Sequence, residues 1–222
     1  MTRPDYLPRA LRHLGKVDPE LRRLIGAHGP PRLAPSRNHL QSLTRAIVYQ
    51  QLSGKAAGTI YRRFLELFGG QRFPDAAAIA AMPAARMRRA GLSAAKATYV
   101  RDLAARFASG GVDPRRFRLM SDDDLVEQLT TIKGIGRWSV HMFLLFGLNR
   151  PDVLPVGDLG VRRGMQLRFG LRELPEPRAM ESLAAPWRPF RSIGSWYMWR
   201  VVEEHTSRAR RGDESPDSTQ NG

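Results

Sequence analysis

The chain has 222 residues, 42% of them hydrophobic, which suffices for one large domain or two small ones with a real core. It has no cysteine, which excludes disulfides, thiolate-bound zinc and iron–sulfur clusters; no apolar run reaches spanning length, so we expect a soluble, cytoplasmic (nucleoid-associated) protein without membrane contact. The formal net charge is +15, and only four of the 36 basic residues are Lys, an excess that favours a polyanionic partner but that an Arg- and Ala-rich genome also produces.

Ala, Leu and Arg dominate and β-branched runs are rare, which predicts an all-α protein. Residues 1–38 are basic and Pro-rich, with one helical stretch near Pro19–Ala27, and Pro30, Pro31 and Pro35 break the chain. Leu40, Leu43 and Ile47 share a helix face that Ser53 and Gly54 interrupt; Ala57, Ile60, Phe64 and Leu67 mark the next helix, which Gly69 and Gly70 end. Asp75 is placed to cap a short Ala-rich helix, Pro83 opens another that ends at Gly91, and Lys96–Ala108 is amphipathic. Ser121 with Asp124 has capping-box spacing ahead of Leu125, Leu129 and Ile132. After a break at Lys133–Arg137 a helix runs to about Leu148, then a Pro-flanked loop, a helix carrying Val161 and Met165, and an aromatic helix from about Phe190 to His205. The polar tail from Ser207 is expected to be disordered.

Two places carry chemistry. Gly134-Ile135-Gly136 between helices lets the backbone turn sharply and aim N–H groups at an anion from a helix N-terminus, although most such turns are plain connectors. Ile135 should point inward and anchor the turn. Asp158 lies 22 residues beyond Gly136, at the end of Leu154-Pro155-Val156-Gly157, where it is also placed to cap the following helix.

The string from Leu129 to Trp138 and the loop from Leu154 to Gly160 together resemble the helix-hairpin-helix (HhH-GPD) DNA glycosylase superfamily, over roughly residues 36–206. The alkylation-repair branch, 3-methyladenine DNA glycosylase II, carries the Gly-Ile-Gly-Arg-Trp string found here at Gly134–Trp138, and we expect a form without the additional N-terminal β-domain of the longer member. The resemblance implies two helical subdomains flanking a DNA-binding cleft: 37–146 with the hairpin, 1–36 plus 147–206 with the aspartate, and a tail from 207 to 222. It implies a monofunctional enzyme that flips alkylated purines from duplex DNA and hydrolyses the N-glycosidic bond, starting base excision repair. Asp158 would stabilise the oxocarbenium-like sugar and orient water.

Lyase relatives carry a Schiff-base Lys where this chain has Trp138. By the same resemblance Trp138, Met142 and Trp199 line the base pocket, the indole face attracting a cationic base, although aromatics at helical spacing are more often core. Gly134, Ile135, Gly136, Lys133 and Lys96 would meet the DNA backbone, and Gln51 and Leu52 would fill the gap left by the flipped base. The carbonyls of Thr130, Ile132 and Ile135 would face a Na+ or K+ ion; no cofactor is otherwise required, and a monomer is expected. A non-catalytic hairpin DNA-binding protein and a glycosylase for oxidised or deaminated bases are the rivals. Neither the lesion range nor the choice between Gln51 and Leu52 is legible in the residues.

Overall fold

The computed structural model describes residues 4–33, 36, 38–52, 54–210 and 212. The chain is all-α: the described residues hold twelve α-helices, two short 3-10 turns and one π turn, joined by loops and with no strand among them. None of these helices is long and apolar enough to cross a membrane. The chain divides into two compact units: a hairpin unit, Leu33–Arg150, and an aspartate unit formed by Asp5–Arg32 with the chain from Pro151 onward.

The hairpin unit holds α3 (His39–Tyr49), α4 (Gly54–Glu66), α5 (Ala76–Ala81), α6 (Ala84–Arg89), α7 (Ala94–Ala108), α8 (Asp122–Thr130) and α9 (Arg137–Met142). Its caps follow from the sequence. The side chains of Asn38, Asp75 and Ser93 each accept a first-turn N–H, and Ser121 with Asp124 forms the reciprocal capping box. Leu43, Ile47, Phe64, Ile79, Val100, Leu103, Leu125 and Leu129 are fully buried, each worth about 1.5–3 kcal/mol of burial. Phe117 and Phe143 meet edge to face at 5.5 Å, with His39 against both rings.

The helix expected from Arg137 to Leu148 changes pitch half-way. After Met142 the chain makes a π turn, Phe143–Gly147, and the Leu148 N–H reaches the Phe143 carbonyl at 3.0 Å. The glycine is required there, because a Cβ on Gly147 would lie 2.5 Å from the Phe143 ring.

The aspartate unit holds α1 (Leu7–Val17), α2 (Pro19–His28), α10 (Leu159–Phe169), α11 (Pro177–Leu183) and α12 (Arg191–Arg210). Helix α1 lies in a stretch that sequence reading left irregular on account of its prolines. Pro8 falls in the first turn of α1 and Pro177 at the start of α11, where the missing N–H has no intrahelical partner to lose. Asp18 organises this unit: only 5% exposed, it caps α2 through the N–H groups of Glu20 and Leu21 and accepts from Arg168 at 2.6 Å and Trp187 Nε1 at 3.1 Å. Helix α12 continues through Ser207 to Arg210, so those four residues are helical rather than part of a disordered tail. The rest of that tail, Gly212 apart, lies outside the described residues, as does Ser53, the expected break after α3.

Candidate nucleic-acid interface and catalytic carboxylate

In the hairpin unit, α8 ends at Thr130 and α9 begins at Arg137, so residues 131–136 form the hairpin. Gly134 has φ of +81°, a conformation open to glycine, and its face is pressed on Tyr99: an added Cβ would sit 2.0 Å from that ring. Ile135 is buried and its N–H bonds the Ile132 carbonyl at 3.0 Å, so it anchors the turn inward as expected. The N–H groups of Gly134 and Gly136 have no acceptor among the described residues, and α9 starts without a side-chain cap. Uncapped donors at a helix start are what an anionic oxygen seeks.

These donors border a cavity of about 640 Å³ lined by the hairpin from Thr130 to Gly136 together with Gln50, Gln51, Ser93, Lys96 and Tyr99. The structure thus brings together, in one unit, most of the residues expected to grip the strand. Lys133 is exposed on the turn. Thr130, Ile132 and Ile135, the expected cation ligands, all line the cavity; the first and last carbonyls accept no bond from a described donor, and that of Ile132 accepts from Ile135 alone. Among the described residues no cluster of three His, Asp or Glu is placed for a metal.

Lys96 requires a correction. It was expected to reach a phosphate, but its Nζ donates to the Val48 and Gln50 carbonyls at 2.8 and 2.7 Å. Two of its three donors therefore close the C-terminal end of α3, and burial lowers its pKa from the ordinary lysine value. The residue that sequence reading missed is Gln50. Its Nε2 donates to the Gly134 carbonyl at 2.8 Å and to Ser139 Oγ at 2.9 Å, a strut between the end of α3 and the hairpin. A polar amide closing a helix whose inward face is otherwise apolar apart from Thr44 was the signal available.

Beyond that strut the chain turns outward. Gln51 is exposed with φ of +55°, a left-handed conformation costing a non-glycine residue about 1–2 kcal/mol, and Leu52 follows with 39% of its surface exposed. Trp138 and Met142, one turn apart on α9, are both half-buried.

In the aspartate unit the loop before α10 is tied to the start of α12. The Ser192 N–H donates to the Pro151 carbonyl at 3.1 Å, and Ser192 Oγ accepts the Val153 N–H at 2.9 Å. The loop closes with the Asp158 N–H on the Pro155 carbonyl at 2.8 Å. Asp158 then caps α10: its Oδ1 accepts the Val161 N–H at 2.8 Å and, from α12, the Trp199 indole N–H at 2.9 Å. The carboxylate is 8% exposed and sits at the N-terminus of α10. Capping and chemistry are compatible here, since the bonds fix the orientation of the group. Trp199, expected against a base, has its polar edge turned to this carboxylate.

A fold of helices around a glycine hairpin, with an aspartate capping a helix beyond a Pro-containing loop, defines a class of DNA-handling protein, and comparison identifies it. The profile of the HhH-GPD superfamily base excision DNA repair proteins matches residues 44–189. The chain belongs to that superfamily. It is 35% identical over 199 residues, 88% of this chain and 87% of the relative, to DNA-3-methyladenine glycosylase 1 of Schizosaccharomyces pombe. Among solved structures, the S. pombe 3-methyladenine DNA glycosylase Mag1 in complex with abasic DNA superposes with a TM-score of 0.81 at 33% identity, covering 96% of this chain and all of that one. A DNA-3-methyladenine glycosidase of Bacillus halodurans gives 0.75 at 32% identity, covering 89% and 91%.

Proposed function

We propose that this protein is a DNA glycosylase of the 3-methyladenine DNA glycosylase II type, which extrudes alkylated purines from duplex DNA and hydrolyses their bond to the sugar without cutting the strand. The observation that carries it is Asp158: a carboxylate fixed by a helix N-terminus and an indole donor, in a chain whose hairpin leaves amide donors open to a backbone phosphate. Glycosidic cleavage builds positive charge on the sugar, and an oriented carboxylate is worth most against charge that develops during reaction. An alkylated purine is already cationic, so it leaves with little acid assistance. Gly134 and Gly136 would hold a phosphate, assisted by Lys133, and the carbonyls of Thr130, Ile132 and Ile135 would hold a monovalent cation that offsets phosphate charge. Gln51 and Leu52 are the candidates for the vacated stack; Trp138 and Met142 are the candidates for contact with the extruded base.

The absence of strand cleavage rests on the residue at the Schiff-base position. Trp138 has no amine to attack the sugar, and the ammonium of Lys96 is bonded within its own unit. The test is chromatography of bases released from duplexes carrying 3-methyladenine, 7-methylguanine, 1-methyladenine, ethenoadenine or hypoxanthine, with borohydride present in parallel. Release of methylated purines with no trapped protein–DNA adduct is expected. Absence of release from every duplex contradicts the glycosylase assignment, and a trapped adduct contradicts the monofunctional one.

A further inference from the structure

The contact between Trp199 and Asp158 depends on a residue with no side chain. Gly160 and Gly164 stand one turn apart on the face of α10 that meets α12. A Cβ on Gly164 would lie 2.2 Å from the Met198 carbonyl oxygen, so the two backbones touch there. A Cβ on Gly160 would lie 2.6 Å from Trp199 Cδ1, 2.7 Å from its Nε1 and 3.1 Å from Asp158 Oδ1. Neither glycine has positive φ, so backbone freedom does not explain them. What they supply is room: the pair lets α12 come down on α10, and the gap at Gly160 is filled by the indole edge that reaches the carboxylate.

We infer that, given the glycosylase assignment above, Gly160 and Trp199 are positioning residues for Asp158: the absent Cβ admits the indole, and the indole N–H holds Oδ1 on the side of the α10 N-terminus. Asp158 Oδ1 then has two fixed donors, Val161 N–H and Trp199 Nε1–H. The carboxylate is held in one rotamer by a donor that does not rotate away. Trp199 in this role contributes through its N–H, so its value does not depend on which base is being removed.

Two substitutions reach the same contact from opposite ends. Trp199→Phe keeps an aromatic ring and removes the N–H. Gly160→Ala keeps the N–H and puts a methyl where the indole edge lies; alanine is the better helix former, so α10 itself gains. In single-turnover release from 7-methylguanine and hypoxanthine duplexes, each variant should lower the rate about tenfold, the effect of losing one hydrogen bond to a charged group. The expected loss is equal for the two bases, with binding to abasic duplex unchanged, and the double variant should be no slower than the singles. In 15N spectra the indole N–H resonance of Trp199 should shift in Gly160→Ala and in Asp158→Asn. Wild-type rates in both variants, or losses that differ between the bases, overturn the positioning role while leaving the glycosylase assignment intact. A wild-type protein that releases neither base overturns both, and an unmoved indole resonance overturns the contact whatever the activity.

Discussion

The two units hold their functional groups by different means. In the hairpin unit the groups offered are backbone amides of Gly134 and Gly136, shaped by a side-chain lattice: Tyr99 under the turn, Gln50 bridging it to α3, and Lys96 closing α3 behind it. In the aspartate unit the group offered is one side chain, Asp158, and the backbone around it serves to cap and crowd it. Backbone donors suit a ligand common to every nucleotide, the phosphate, and one fixed charge suits a single reacting bond. Damage to the first unit should therefore weaken binding, and damage to the second should stop the chemistry.

The largest effect is expected from Asp158→Asn. The amide oxygen still accepts from Val161 and Trp199, so fold and binding persist, while base release falls by about 10²–10³ or more, the order lost when a main electrostatic stabiliser is removed. Next is Gly134→Ala, which forces φ of +81° on a residue with a Cβ and drives that atom into Tyr99. Abasic-duplex affinity should fall by about tenfold or more, because strain there of about 1–3 kcal/mol must be relieved by moving the donors. Adding Tyr99→Ala removes the clash but not the φ strain, so it should restore part of the loss.

Asp18→Ala separates stability from both functions. It strips a nearly buried carboxylate from Arg168, Trp187 and the start of α2 and should cost about 3 kcal/mol, lowering the melting temperature by about 10 °C, with release per folded molecule unchanged at 25 °C. A smaller effect is expected from Gln50→Leu: loss of the strut to Gly134 should weaken abasic-duplex binding about fivefold and leave release from the saturated complex unchanged. A change in release alone would break the division between units.

Acid sharpens the same comparison. Burial, reinforced by the Arg137 charge and opposed by Asp123, pushes the His141 imidazole down to about 4. Burial and Arg118 also lower His39. Both belong to the hairpin unit. Their folded forms bind fewer protons than the unfolded chain, so their contribution is full above the unfolded value of about 6.5 and declines as pH falls toward the folded one. In the aspartate unit, burial raises the Asp18 carboxyl but the bonds from Arg168, Leu21 N–H and Trp187 outweigh it and hold it low; Glu204 is held low by Arg23 and His28 despite its own desolvation. Those contributions stay complete above the unfolded carboxyl value of about 4 and are lost only as pH falls through the lowered folded values. Hydrogen exchange at pH 5 against pH 7 should show the hairpin unit loosening first, and His141→Asn should flatten the difference. Equal loosening of both units would count against this assignment.

Much of this was legible in the residues, for reasons that can be named. Capping residues at Asp75 and Ser121 announce helix starts because their side chains have one use there, and Gly-Ile-Gly announces a turn because few backbones bend so sharply without glycine. Lys96 was misjudged because a sequence shows a charge but not the carbonyls that a fold brings to it. Helix α1 was lost because a proline reads as a breaker until its position in the turn is known. The Gly160–Gly164 pair was in plain view, but only the partner helix reveals that the space it leaves is occupied by Trp199.

The division of labour is tested most directly by measuring binding and base release in the same tubes, on a fluorescent duplex with one 7-methylguanine, for Asp158→Asn and Gly134→Ala side by side. Asp158→Asn should bind like the wild type and release almost nothing, whereas Gly134→Ala should need far more protein to bind but release the base normally once saturated. Release by Asp158→Asn at the wild-type rate, or failure of both variants in the same manner, would contradict the account.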